Sequence, residues 1–109
     1  MPRRTYLNSF ELMVLLAIIR LDDTAYGVTI SHELEETTGR DVVLGSVYNA
    51  LDRLEDKGLV SSKLGDPTPE RGGRAKRFFT VTARGVREAH ATQEALTALW
   101  HGLPQGGRA

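Results

Sequence analysis

The residues in this chain best suited to chemistry are cations beside glycines. Arg71, Gly72, Gly73, Arg74, Lys76 and Arg77 place four positive charges within seven residues, and the glycines let backbone approach an anionic polymer without a side-chain clash. A second set, Ser46, Asn49 and Arg53, recurs at spacings of three and four, so one helix face carries a hydroxyl, an amide and a guanidinium. Amide and guanidinium groups pair with adenine and guanine edges in a major groove, while clustered cations neutralise phosphates. Tyr48 can set a hydroxyl on a phosphate or pack as a half-buried structural ring, and both readings stand open. Thr29 and His32 are candidates for backbone contacts from the preceding helix.

Catalytic chemistry finds few parts. Cysteine is absent, which removes thiol nucleophiles, disulfides and thiolate metal sites and makes a reducing cytoplasm the simplest location. His32, His90 and His101 form no short metal-ligand cluster, and Asp22 with Asp23, or Glu35 with Glu36, are sequence neighbours, not an opposed acid and base. The stretch GGRAK lacks the glycine spacing and the Lys-Ser or Lys-Thr ending of a phosphate loop. The expectation is a chain that is no enzyme and carries no cofactor or metal.

The formal net charge is zero, but the charge is separated. Residues 22–56 hold nine acidic and two basic side chains, a balance of −7, whereas residues 71–87 hold six basic and none acidic. Local field governs docking onto phosphates. The acidic stretch overlaps the helix that would face a duplex, which is the best argument for a rival: a module that binds protein without sequence-specific DNA binding.

The elements that must position these groups follow from periodicity. Residues 9–20 predict a helix with a wide apolar face, Phe10, Met13, Leu16 and Ile19 on one side and Leu12, Leu15 and Ile18 beside them; Asn8 and Glu11 have capping-box spacing. A second helix is expected from about residue 25 or 26 to 38, stopped by Gly39, with Gly27 permitting close approach of a neighbouring helix. A third spans about residues 45–57, with Val47, Leu51 and Leu54 as its buried stripe and Gly58 as terminator. Residues 59–64 and 78–82 predict two strands around a projecting loop, and Thr82 caps a last helix over residues 83–100, about 27 Å long at 1.5 Å per residue.

A length of 109 residues suits one domain. The division expected is a basic segment (1–8), a winged helix-turn-helix (9–82), a C-terminal helix (83–103) and a flexible tail (104–109). The apolar run at residues 12–21 is broken by Arg20, followed by two aspartates and too short to span a bilayer, so no membrane partner is expected. The fold class is mainly α with a small β-hairpin.

The stretches LLAIIRLDDTAYGVTISHELEETTG, SVYNALDRLEDKGLV and ERGGRAKRFFTVTARG, in this order and spacing, resemble the PadR family of bacterial transcriptional regulators over nearly the whole chain. The resemblance implies a homodimeric regulator, usually a repressor, bound to double-stranded DNA with a palindromic operator. It is similar to the small subfamily with a single C-terminal dimerisation helix. The dimer would form through the first and last helices, here by Phe10, Met13, Val14, Ala17, Val86, Ala89, Gln93, Leu96, Leu99, Trp100 and Leu103. Some small relatives bind flat hydrophobic compounds at the dimer centre; Trp100 could invite such an effector, or simply fill an interface.

Overall fold

A computed structural model describes residues 6–65 and 75–104. Among them, four helices and one antiparallel hairpin follow in the order α1 (Ser9–Leu21), a 3-10 turn (Asp22–Thr24), α2 (Gly27–Thr38), α3 (Leu44–Asp56), β1 (Val60–Leu64), β2 (Arg77–Val81) and α4 (Ala83–Trp100). This is the winged helix-turn-helix, mainly helical, that the pattern predicts.

Local signals set most boundaries. Asn8 Oδ1 accepts from Glu11 N at 2.7 Å and Glu11 Oε1 accepts from Asn8 N at 3.2 Å, so the capping box is complete. At the far end of α1 the Asp22 amide closes onto the Ile18 and Ile19 carbonyls with Asp22 at φ 54°, which turns the chain out of the helix. α3 ends in a Schellman motif: Gly58 N donates to Glu55 O at 3.0 Å and Leu59 N to Leu54 O at 2.9 Å, with Gly58 at φ 76°. Because Leu59 spends its amide there, β1 begins at Val60, one residue later than expected. The Thr82 hydroxyl accepts from Gly85 N at 3.0 Å and starts α4.

α1 lies at the centre and packs on α2, α3, α4 and β2. Leu15, Ile18, Ile30, Val47, Leu51 and Leu54 are fully buried between these elements. β1 and β2 pair from Val60 opposite Val81 to Leu64 opposite Arg77. Two backbone bonds fix the hairpin base: Phe79 N donates to Ala25 O, in the connection before α2, at 2.8 Å, and Thr82 N to Leu59 O, just before β1, at 3.0 Å. The segment before α1 is held to α4 by Leu7 N donating to the buried Thr92 hydroxyl at 3.2 Å.

Central placement of α1 corrects part of the expected interface. Val14 is 0% and Ala17 2% exposed, both inside the chain's own core, and Phe10 packs partly buried against that core. A wide apolar face on α1 is thus largely consumed within the chain. What remains outside is the row Met13, Leu16 and Ile19.

Candidate nucleic-acid interface

α3 owes its orientation to one buried row, Val47, Ala50, Leu51 and Leu54. At 100° per residue the opposite, outermost row is Gly45, Asn49, Asp52 and Asp56, with Ser46, Arg53 and Lys57 on one flank and Tyr48 and Glu55 on the other. Ser46, Tyr48 and Asn49 are all exposed, and the first two turns carry no charged side chain. The carboxylates begin at Asp52. The N-terminal end of a recognition helix is the part that reaches base edges, so the acids of α3 sit away from the end that would enter a groove.

Tyr48 rises over the start of α2. A Cβ built on Gly27 would stand 2.5 Å from the Tyr48 ring and its hydroxyl oxygen, so the glycine is what allows the ring to lie there. The ring packs on α2, and the side chain is half exposed. Beside it, Tyr26 meets Phe78 of β2 edge to face, with centroids 5.4 Å apart, and Lys76 Nζ lies 5.2 Å from the Tyr26 centroid. Lys76 is thereby placed at the joint between the hairpin and α2. Arg77 Nη1 donates to Ser62 Oγ at 3.0 Å, and Ser62 Oγ donates to Glu55 Oε2 at 2.7 Å, a chain linking β2 to the end of α3.

Two expected contact residues are otherwise engaged. The Thr29 hydroxyl accepts from Tyr26 N at 2.9 Å and faces the Thr24 and Tyr26 carbonyls at 2.7 and 3.0 Å, so it builds the turn into α2 instead of presenting itself to a phosphate. Arg53 donates from Nε to Glu11 Oε2 at 3.1 Å, and Lys57 Nζ reaches the same oxygen at 3.1 Å. Arg53 is thus tied through Nε to α1 while its side chain stays 48% exposed. Arg71, Gly72, Gly73 and Arg74 lie outside the described residues, as do Arg3, Arg4 and the tail beyond residue 104.

Glu11 is only 2% exposed. Burial pushes its carboxyl up, but hydrogen bonds from Lys57, the Asn8 amide and Arg53, with the Lys57 charge, outweigh it and hold the group below the usual carboxylate value. Two acids of the negative stretch are also engaged within the chain. Glu33 accepts from Arg20 Nε at 2.6 Å and from the Thr37 hydroxyl at 2.9 Å, and Arg20 with Thr37 holds its carboxyl low; Glu35 accepts from Val42 N at 2.9 Å.

Two features were not legible in the sequence. Val43, at the N-cap of α3, is 72% exposed and offers no capping side chain; Leu44 beside it is also exposed. Ser, Thr, Asp or Asn is the stabilising choice at such a cap, so an exposed β-branched residue there is a signal to notice. The other is a groove of about 220 Å³ between α1 and α4, lined by Leu16, Ile19, Val86, Ala89, His90 and Gln93. Ala89 is its buried floor. From this groove the exposed row of α4 continues through Leu96, Leu99 and Trp100, and Leu103, beyond the end of the helix, is exposed as well.

The chain is similar in structure to a transcriptional regulator from Clostridium thermocellum, with a TM-score of 0.71 and 22% identity over 83% of this chain and 82% of that one. A PadR family regulator from Eggerthella lenta superposes with a TM-score of 0.67 and 23% identity, over 83% and 76% of the two chains. For a PadR-like regulator from Bacillus cereus the score is 0.69 at 21% identity, over 89% and 92%. No match was found among curated proteins. The three likenesses establish the fold, and the sequence pattern of the PadR-like transcriptional regulators matches residues 15–91, most of the chain. With the hairpin set against a helix-turn-helix whose α3 leads with uncharged polar groups, this protein belongs to the PadR-like family of transcriptional regulators.

Proposed function

We propose that the protein is a homodimeric, sequence-specific DNA-binding repressor acting in the cytoplasm on a palindromic operator. The observation that carries this reading is the exposed, uncharged leading end of α3, Ser46, Tyr48 and Asn49, held outward by a fully buried opposite row. Ser46 and Asn49 approach base edges, and Val43 offers an apolar contact of the kind that suits a thymine methyl. Tyr48 and Lys76 contact phosphate on the α2 side, Arg77 from β2, and Arg71 and Arg74 from the hairpin loop with Gly72 and Gly73 letting the backbone close in. Thr29 supports the turn that places Tyr48.

One chain offers one α3 to one half-site. A twofold pair offers two, about 34–36 Å apart or a multiple of that. The α4 row of Val86, Leu96, Leu99 and Trp100, with Gln93 and with Leu103 just past the helix end, meets Met13, Leu16 and Ile19 of a second copy, which removes those apolar groups from water. No effector is required for this reading.

Selection of bound duplexes from a random pool, followed by fluorescence anisotropy against a shuffled duplex across a salt series, tests the proposal. The expected result is saturable, sequence-preferring binding with a steep salt slope, lost on combining Arg71→Ala with Arg74→Ala. A folded protein that enriches no sequence and captures a protein partner unchanged by that double substitution supports the protein-binding module instead.

A further inference from the structure

Among the described residues, Glu11 is the buried carboxylate, and DNA contact does not explain it. It stands on α1, yet its strong partners are Arg53 of α3 and Lys57 at the C-cap of that helix, 42 and 46 residues away. Its other oxygen accepts from the Asn8 amide, so the capping box holds the carboxylate in place. The two cations are not buried with it: their side chains are 48% and 45% exposed. They share the flank of α3 that begins with Ser46, next to the outer row holding Asn49.

We infer that Glu11 is a positioning residue for sequence-selective binding: it holds Arg53 and Lys57 back from phosphates, so that α3 engages DNA through its uncharged leading turns and affinity for generic duplex stays low. The inference rests on the DNA-binding reading and adds to it a residue that never touches DNA. Its physical basis is competition. A flexible cation beside a duplex gains affinity from counterion release whatever the sequence, and the same cation pinned to a buried carboxylate does not. Because α1 also carries the exposed Met13, Leu16 and Ile19 row, the tether fixes α3 relative to the surface through which a second copy would dock.

The test compares the full-length parent, E11Q, and the triple variant E11Q/R53Q/K57Q, each binding a selected and a scrambled duplex across a salt series. Releasing two cations steepens the slope of log affinity against log salt by about 0.9 for each phosphate gained, up to about 1.8 per subunit. E11Q is expected to bind scrambled duplex about tenfold more tightly at low salt and to lose selectivity by a similar factor. The triple variant returns to the parent's slope. A role in packing alone predicts weaker binding to both duplexes with the slope unchanged, and that result in E11Q overturns the inference. Should E11Q not fold, the triple variant decides: a slope below the parent's by about 1.8 per subunit means that these cations already contact phosphate, which also overturns it. A parent that binds neither duplex removes the DNA-binding reading and the inference together, whereas a binding parent with an unaltered E11Q removes the inference alone.

Discussion

α3 and α4 announce themselves in the same way, as apolar residues repeating at helical spacing, and they end in opposite situations. Every apolar member of the α3 row, from Val47 to Leu54, is buried by the chain itself. In α4 only Ala89 and its neighbours Gly85 and Thr92 are covered, while Leu99 and Trp100 stand 71% and 73% exposed. A single chain fills one amphipathic helix completely and leaves the other half satisfied. The difference shows that periodicity reports which face of a helix is apolar, and not whether the chain itself covers that face.

Substitutions in the two rows should therefore separate folding from association. The largest effect is expected for Leu51→Ala, which removes a fully buried side chain of α3 and should cost about 2–5 kcal/mol in chemical denaturation, a large fraction of the stability of a chain of this size. Trp100→Ala should leave the fold of the single chain intact but weaken self-association by about 2 kcal/mol, near 30-fold, as measured by sedimentation equilibrium. If Trp100→Ala instead unfolds the chain, or leaves its association unchanged, the contrast between the helices is broken.

Gly27→Ala sharpens the comparison at the α2–α3 joint. The added methyl displaces the Tyr48 ring, and because that ring is half exposed it can swing away, so the cost in stability should be about 1 kcal/mol, the low end for overpacking. Duplex affinity should fall with it if Tyr48 donates to a phosphate, and anisotropy on the same duplex reads this directly. Unaltered affinity would leave Tyr48 as packing alone.

The smallest effect expected is in acid. The folded protein holds Glu11 below its ordinary value, so the unfolded chain binds the proton more readily, and the contribution of this group is present above the usual carboxylate range and lost as pH falls through its folded value. Thermal unfolding followed between about pH 6 and 3 should show a decline that is shallower in E11Q. An identical decline in both proteins would mean that other carboxylates account for it.

What the sequence made legible is whatever is settled within one turn of the chain. The pairing of Asn8 with Glu11, the Gly39 and Gly58 stops and the Thr82 cap all act over two to five residues, and each is found in place. The partner of Gly27 was anticipated as a helix, though not as the Tyr48 ring. Arg53 illustrates the limit. Its type and spacing fit guanine, but its guanidinium is claimed by Glu11, 42 residues earlier, whose only local signature was that of a cap. A capping glutamate uses one oxygen; nothing nearby tells what the other will find. The same limit applies to α1, where Met13, Val14, Leu16 and Ala17 all lie on apolar stripes, and only the packing of four elements around the helix decides that Val14 and Ala17 go in while Met13 and Leu16 stay out.

The central claim is that the uncovered row of α4 joins two chains so that two α3 helices meet one duplex. Sedimentation velocity of the protein with a selected, labelled duplex, for the parent and for L99D, tests it most directly. The account expects two chains per duplex for the parent, an operator with half-sites about 10–10.5 base pairs apart or a multiple, and a folded L99D that sediments as a monomer and loses selective binding. A parent that binds as one chain per duplex, or an L99D monomer that binds as selectively as the parent, would contradict it.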